Sequence, residues 1–187
     1  MSKKILFLSG STRIGSFNSS LAKAAYEYAK TQDVDAEYID LADYELPLFN
    51  QDEEAERGMH GNAKRLKQKF IEADGYFIAT PEYNGSFTPL LKNTLDWLSR
   101  AHEENEKALP AYANKAAAIG GASPGGFGAM RALVPLRLLL SNVGVNMVGH
   151  QIAIAAAHEA FDEKGKLKSE RYQGMLEGIV NTLIRIS

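Results

Sequence analysis

The fold of this chain is decided by the stretch ILFLSGSTRIGSFN, which occupies residues 5–18. It begins with the apolar run Ile5–Leu8, and a run without polar alternation is typical of a parallel strand buried on both faces. A polar loop rich in serine and glycine follows. After the loop, apolar residues recur at helical spacing from about Asn18 to Lys30. The stretch therefore predicts a buried strand, a polar loop and a helix, in that order.

The same alternation of strands and helices continues along the chain. Further strands are predicted at Ala36–Leu41, Tyr76–Ala79, Ala116–Ile119 and within Val145–Ile154. Further helices are predicted at Lys64–Ala73, Leu90–Leu98, Ala129–Val143 and Tyr172–Ile186, and Pro47–Asn62 is predicted to be a surface segment. Such alternation implies an α/β fold in which right-handed crossovers cover both faces of a parallel sheet. Ligands bind beyond the carboxyl ends of such strands, so function is expected in the loops after strands one, three and four.

Composition narrows the classes of protein. The 187 residues fit one domain, which we expect to span residues 1–187. The net charge of −2 gives no attraction to nucleic acid or to an anionic membrane. The chain has no cysteine, which excludes disulfides, thiolate metal sites and a cysteine nucleophile. No apolar stretch reaches the length of a membrane span, and we expect a soluble, cytoplasmic protein.

The loop after the first strand, Ser9–Ser20, has the composition of a phosphate site. The N-terminus of the following helix offers free N–H groups and a favourable dipole to an anion. Glycines let the backbone wrap a phosphate, and hydroxyls and Arg13 complete the hydrogen bonds. Simple capping of the helix by Ser16, Asn18 or Ser19 is the alternative interpretation. The loop has neither the Walker A pattern nor the G-x-G-x-x-G dinucleotide fingerprint.

The loop after the third predicted strand is TPEYNGSFTP at residues 80–89. Two prolines stiffen it, and Asn84-Gly85 predicts a sharp turn with positive φ. Tyr83 and Phe87 give the loop aromatic surface. A rigid turn with exposed amides and aromatic rings suits a planar heterocycle. An ordinary surface turn that carries one tyrosine explains the same residues equally well.

Three blocks of the sequence together resemble the NADPH-dependent FMN reductase family. The blocks are Ser9-Gly10-Ser11-x-Arg13 with Ser16 and Asn18, then Pro81-Glu82-Tyr83-Asn84-Gly85-Ser86, then Leu91-Lys92-Asn93-x-x-Asp96-Trp97-Leu98-Ser99-Arg100. They stand in the order of the family, and the resemblance spans nearly the whole chain. This flavodoxin-like family includes flavin, quinone and chromate reductases.

The resemblance implies a fold, a cofactor and roles for particular residues. The fold is a flavodoxin-like three-layer sandwich, with a five-stranded parallel sheet in the order 2-1-3-4-5 and helices on both faces. The cofactor is FMN. The residues implied to hold its phosphate are Ser11, Arg13, Ser16, Phe17, Asn18 and Ser19, and those implied to line its isoalloxazine are Pro81, Glu82, Tyr83, Asn84 and Gly85.

A glycine-rich loop, GGASPGGFG at residues 120–128, follows the fourth predicted strand. It can bring several backbone N–H groups against a flat ligand, and such donors would stabilise the negative charge of reduced FMN. We therefore add Ser123, Gly125 and Gly126 to the predicted FMN-binding residues. A long turn between strand and helix is the alternative interpretation, since glycine commonly marks turns.

Two helices are expected to contact a second copy of the chain. The helix at Ala129–Val143 is apolar nearly all round, and such a helix is buried on more than one side. In a domain this small we expect the second side to meet another subunit, which gives a homodimer or homotetramer. A polar stripe beside Trp97 on the preceding helix is a solvated face or, by the resemblance, part of a subunit contact. The residues expected at these contacts are Leu133, Leu136 and Leu140, together with Lys92, Asp96 and Arg100.

These expectations combine into an FMN-dependent oxidoreductase. NADPH or NADH is expected to pass hydride through bound FMN to a small acceptor, such as a flavin, a quinone, an azo compound or chromate. No side chain is assigned as a catalytic acid or base, and the four histidines have no metal-binding spacing. The alternative is a flavodoxin-type electron carrier, which binds FMN without turning over a substrate. The small net charge disfavours it, because carriers that dock by electrostatics are usually far more acidic.

Overall fold

The computed structural model describes residues 2–187, and its strands form one sheet in which neighbouring strands are parallel. The strands are β1 (Lys3–Ser9), β2 (Val34–Ile39), β3 (Gly75–Ala79), β4 (Ala116–Ala122), β5 (Asn146–Met147) and β6 (Ile152–Ile154). Their order is β2-β1-β3-β4-β5, and β6 also pairs with β4. The predicted order 2-1-3-4-5 is confirmed, and it is the doubly wound order of flavodoxin-like proteins.

The helices alternate with the strands along the chain. They are α1 (Phe17–Ala29), α2 (Gln51–Arg57), α3 (Gly61–Glu72), α4 (Pro89–Ser99), α5 (Met130–Asn142), α6 (Ala157–Ala160) and α7 (Glu170–Ile186), with a 3₁₀ turn at Leu41–Tyr44. Side chains of Ser16, Thr88 and Ser169 cap α1, α4 and α7. Within residues 2–187, no helix combines the length and the apolar character that a membrane crossing requires.

The segment Ile5–Leu8 of strand β1 is apolar because its side chains are buried on both faces of the sheet. Leu6 and Leu8 belong to the core that the sheet forms with α3, α4 and α5. Ile5 and Phe7 belong to the second core, which the sheet forms with α1 and α7. All four side chains are fully buried. The helices therefore cover both faces of the sheet, and the predicted three-layer sandwich is confirmed.

Strand β4 is longer than predicted, because it continues through Gly120 and Gly121 to Ala122. A Cβ atom at Gly120 would lie 2.9 Å from Cγ2 of Ile152. At Gly121 it would lie 2.8 Å from Cβ of Ala129. These glycines allow close packing inside the sheet, so the predicted strand end at Ile119 is wrong. The fifth predicted strand is also different, since it is divided into β5 and β6.

The predicted surface segment at residues 47–62 contains the short helix α2. This helix begins after Asn50, whose side chain accepts a hydrogen bond from the N–H of Asp52, and three acidic residues occupy its first turn. It buries no residue, which explains why it has no apolar periodicity in the sequence. The same segment covers Trp97, which is 2% exposed and donates its indole N–H to the carbonyl of Pro47. Trp97 is thus buried in its own chain, and the use of Trp97 to support a subunit contact is wrong.

Helix α5 has one apolar face in the core and another on the surface. The three leucines that we expected at a subunit contact are fully buried within their own chain, so this expectation is wrong: Leu133, Leu136 and Leu140. Met130, Val134 and Leu138 form the exposed face and are 51%, 64% and 62% exposed. Since they are four residues apart, they make one apolar stripe along the helix.

Candidate functional site

A cavity of about 360 Å³ opens at the carboxyl ends of β1, β3 and β4. This is the edge of the sheet at which doubly wound folds bind their ligands. Three loops line it, and they are far apart in the sequence. The lining residues are Ser11, Arg13, Ser16, Phe17 and Asn18, then Pro81, Glu82 and Tyr83, then Ala122, Ser123 and Pro124.

Most of the predicted site residues meet at this cavity, and five do not line it. Ser19 lies on the other side of the first loop, in a neighbouring cavity of about 410 Å³. The other four are Asn84, Gly85, Gly125 and Gly126, which lie farther along the loops that carry the lining residues. Ala122 and Pro124 were missed, although they flank Ser123, because strand β4 was expected to end three residues earlier.

The first loop, residues 10–16, is held by short-range hydrogen bonds. The Arg13 guanidinium donates to the carbonyl of Gly15 at 3.1 Å, and the Arg13 N–H donates to Oγ of Ser11 at 3.3 Å. Oγ of Ser16 caps α1 by accepting from the N–H of Ser19 at 3.4 Å. Within residues 2–187, Arg13 has no carboxylate within 4.0 Å. The loop therefore combines a helix N-terminus without first-turn acids with an exposed, uncompensated cation.

Asn18, the second residue of α1, joins the end of the first loop to the end of β4. Its side-chain oxygen accepts from the N–H of Ala122 at 2.8 Å, and its side-chain nitrogen donates to the carbonyl of Ala122 at 2.9 Å. The pair is buried and spans 104 positions in the sequence. Since the amide side chain makes both bonds to Ala122, its contribution to the cavity is to hold two lining loops together.

The loop after β3, residues 80–88, contains a tight turn. Asn84 and Gly85 have φ values of 51° and 83°, and Tyr83 and Ser86 exchange backbone hydrogen bonds of 2.8 and 3.1 Å. Positive φ at both central positions is typical of a type I′ turn, so the predicted turn with positive φ is confirmed. The base of the loop is tied to the first loop, because the Thr88 hydroxyl donates to the carbonyl of Gly10 at 2.6 Å.

An ion pair connects the wall of the cavity to α5. Oε1 of Glu82 accepts from Nε of Arg131 at 2.6 Å and lies 2.5 Å from Nη2 of the same side chain. Arg131 also lies over the ring of Phe127, with 5.1 Å between its Cζ and the ring centroid. The contact links the loop after β3 to the segment that follows β4.

The loop after β4, residues 123–129, packs tightly at both ends. The Ser123 N–H donates to the carbonyl of Ile154, and the Ser123 carbonyl accepts from the N–H of Ala157, each at 3.0 Å. Gly128 has a φ of 58°, and a Cβ atom there would lie 2.6 Å from a backbone carbon of Ile154. Ala129 also has a positive φ, of 66°, and no side chain caps α5. Only the start of this loop lines the cavity.

A buried ionic cluster lies away from the cavity. Lys67 of α3 is fully buried and pairs with Glu106, and it also donates to the carbonyl of Arg100 at 2.6 Å. Burial raises the pKa of Glu106, but hydrogen bonds from Lys67 and from the backbone N–H of His102 outweigh it and hold the pKa below its usual value. This cluster secures the chain between α4 and β4 and contributes nothing to the cavity.

The cavity has features that fit FMN. The first loop offers the N-terminus of α1, serine hydroxyls and the Arg13 guanidinium, which are the donors that a phosphate monoester needs. The loop after β3 contributes a wall formed by Pro81, Glu82 and the 56% exposed ring of Tyr83. The volume of about 360 Å³ is within the usual range of ligand pockets, roughly 300–1,000 Å³. The residues present therefore suit a ligand that carries both a phosphate and a flat ring.

Comparison with known proteins gives consistent matches. The family model described as NADPH-dependent FMN reductase matches residues 3–159. The chain is 36% identical to an NAD(P)H-dependent FMN reductase of Pseudomonas aeruginosa over 93% of this chain and 89% of that protein. It is 32% identical to an NAD(P)H:quinone oxidoreductase of Solanum tuberosum over 96% and 90% of the two chains. It superimposes with a TM-score of 0.82 and 30% identity on FerB, a flavoenzyme NAD(P)H:(acceptor) oxidoreductase from Paracoccus denitrificans, over 98% and 96% of the chains.

Proposed function

Because the chain belongs to the NADPH-dependent FMN reductase family, we propose that it is an FMN-dependent oxidoreductase that uses NAD(P)H to reduce a small acceptor. In this proposal a single FMN-binding domain spans residues 1–187. The observation that supports it is a single cavity lined by Arg13 and the start of α1 from one loop and by Pro81–Tyr83 from another. Donors for a phosphate and a surface for a flat ring are thus present in the lining of the same cavity.

The side chains of the cavity bind and orient the cofactor in this proposal. Arg13 and the hydroxyls of Ser11 and Ser16 bind the phosphate, with the N–H groups of α1. Asn18 keeps the first loop against the end of β4. The exposed ring of Tyr83 provides a flat apolar surface at the mouth. FMN supplies the hydride-transfer chemistry when it is bound, and the chain supplies its position and its electrostatic surroundings.

The acceptor class is a small oxidant that can approach the open side of the cavity. Flavins and quinones are the first candidates, because relatives over most of the chain are named for reducing them. Azo compounds and chromate are further candidates, and both NADPH and NADH are proposed as electron donors. We also propose that the protein acts in the cytoplasm, where NAD(P)H is available. Fractionation of the source cells tests that location.

Reconstitution of the purified chain with FMN tests the proposed activity. NADPH and NADH oxidation would be followed with a quinone, free flavin, an azo dye or chromate as acceptor. We expect stoichiometric FMN binding and many turnovers with at least one acceptor. Flavin binding without turnover would favour a flavodoxin-type electron carrier. Failure to bind FMN would refute both functions.

We further propose a homodimer or homotetramer assembled through the exposed stripe of α5. Met130, Val134 and Leu138 are joined at the start of the helix by Phe127, which is 64% exposed. Light scattering at micromolar concentration is expected to give a mass above that of the 20.5 kDa monomer. A Val134→Asp/Leu138→Asp variant should dissociate, whereas Leu48→Asp, at an exposed apolar residue outside the stripe, should not. A monomeric wild-type protein would contradict this proposal.

A further inference from the structure

Among residues 2–187, the Glu82–Arg131 pair is the one salt bridge that includes a residue lining the cavity. The Glu82 side chain is 9% exposed and lines the cavity, whereas Arg131 is 64% exposed. Among residues 2–187, Arg131 is the only cation within 4.0 Å of this carboxylate. Loss of Arg131 would therefore leave a nearly buried negative charge beside the cavity without a partner.

The position of Arg131 is unfavourable for its own helix. It is the second residue of α5, and the positive end of the helix dipole disfavours a cation there. The helix has no side-chain cap and no acidic residue in its first turn that would offset this effect. Glu82, which belongs to another loop, supplies the compensating negative charge. The arginine is thus explained by its contact with the cavity wall rather than by the stability of α5.

The ion pair has one exposed and one nearly buried partner. In the single chain Arg131 is mostly exposed, so water screens its attraction to Glu82 on that side. On the side of the cavity, by contrast, water screens the charge of Glu82 much less, because this side chain is nearly buried. The charge balance of Glu82 therefore matters most to a ligand inside the cavity.

We propose that Arg131 is a positioning residue that holds Glu82 in the cavity wall and cancels its charge, so that the bound flavin can accept negative charge when it is reduced. This inference rests on the proposed function, because it assumes that FMN occupies the cavity. An unpaired carboxylate in the wall would repel reduced flavin more than oxidised flavin. Arg131 then sets the relative affinity of the site for the two redox forms without contacting the flavin itself.

The midpoint potential of bound FMN tests this inference, together with the dissociation constant of oxidised FMN. In Arg131→Gln, reduced FMN should lose about tenfold in affinity relative to oxidised FMN, which corresponds to a potential lower by about 30 mV for a two-electron couple. Arg131→Lys should restore most of the difference, because it keeps the cation. The double variant Glu82→Gln/Arg131→Gln should return the potential to the wild-type value, since it removes both charges.

Arg171 provides a matched control. It is also an exposed arginine at the second position of a helix, α7, but among residues 2–187 it forms no ion pair with a residue that lines the cavity. Arg171→Gln should leave the potential unchanged. If Arg131→Gln weakens both redox forms equally, or if the double variant fails to restore the potential, the inference is wrong while the proposed function stands. If the wild-type protein binds no FMN, the proposed function fails, and the inference fails with it.

Discussion

The loop after β1 and the loop after β3 both line the cavity, but they are held in different ways. The tip of the first, around Arg13, is held by bonds among the residues of the loop itself, and Arg13 and Ile14 are exposed. The second, residues 80–88, is bound to distant parts of the chain through Glu82 and Thr88. The first loop therefore keeps free donors for a ligand, whereas the second presents a wall with a fixed position.

The difference predicts which substitutions change binding and which change folding. Donors at the exposed tip of the first loop can be removed with little effect on the apoprotein. Removal of a buried hydrogen bond between loops should instead cost stability and displace a whole wall. Variants at both kinds of position separate these effects.

The largest effect on stability is expected at Asn18, where the first loop joins β4. Asn18→Ala leaves the buried N–H and carbonyl of Ala122 without partners. Each such group costs about 1–3 kcal/mol, so we expect a loss of about 2–6 kcal/mol. Urea denaturation of the apoprotein measures it. Asn181→Ala, which removes an exposed hydrogen bond to Tyr28, should change stability by at most about 0.5 kcal/mol. Equal losses of stability in the two variants would show that the hydrogen bonds between Asn18 and Ala122 do not stabilise the fold.

Arg13 at the tip of the first loop should affect binding rather than folding. Arg13→Ala is expected to weaken FMN binding by about 1.5–3 kcal/mol, the range for hydrogen bonds to charged groups. The affinity for riboflavin, which lacks the phosphate, should hardly change, and the apoprotein should melt as the wild-type protein does. Titration calorimetry with both ligands provides the measurement. Equal losses for FMN and riboflavin would remove the assignment of Arg13 to the phosphate.

Thr88 connects the two loops, so its loss should affect both ligands alike. Thr88→Val removes the bond to the carbonyl of Gly10 and the cap of α4 while it preserves the shape of the side chain. We expect a stability loss of about 1–2 kcal/mol, as for other helix caps, and parallel losses of affinity for FMN and riboflavin. Thr182→Val, in the middle of α7, is the control. A selective loss of FMN affinity would mean that Thr88 acts on the phosphate and not on the contact between loops.

The fold could be predicted from the sequence where the signal is local or periodic. Ile5–Leu8 is buried on both faces of the sheet, and its unbroken apolar run already indicated this burial. The turn at Asn84-Gly85 was predictable because its residue types favour positive φ. Helix α2 was not predictable from periodicity, since it has no buried face. Gly120 and Gly121 suggested a loop, although close packing against neighbouring elements is what requires them inside β4.

The candidate site was likewise predictable only in part. Its lining loops were identified because strand ends and polar composition can be recognised in the sequence. The contacts that hold the loops together could not be identified, because Asn18 is 104 positions from Ala122 and Glu82 is 49 positions from Arg131. A single sequence contains no signal for such pairs. For the same reason, the exposed stripe of α5 could not be separated from its buried leucines before the packing of the helix was known.

Gly85, in the turn of the second loop, should cost less folding stability than Asn18 or Thr88 when it is replaced. Its φ of 83° costs a residue with a Cβ atom roughly 1 kcal/mol or more. A Cβ atom there meets nothing within 4 Å in the chain itself, so any collision must be with a ligand. Gly85→Val should therefore reduce FMN affinity and NAD(P)H oxidation much more than it lowers the melting temperature of the apoprotein.

Gly58 offers a matched control for this variant, because it has a φ of 74° and its Cβ position is equally open. It follows α2 and does not belong to any of the three loops that line the cavity, whereas Gly85 belongs to one of them. Gly58→Val should lower the melting temperature of the apoprotein about as much as Gly85→Val and leave FMN affinity intact. If both variants melt early and both retain FMN affinity in the folded fraction, the turn at Asn84-Gly85 only connects β3 to α4. The flavin ring would then lie against the loop after β4, and the second loop would contribute its wall through Pro81–Tyr83 alone.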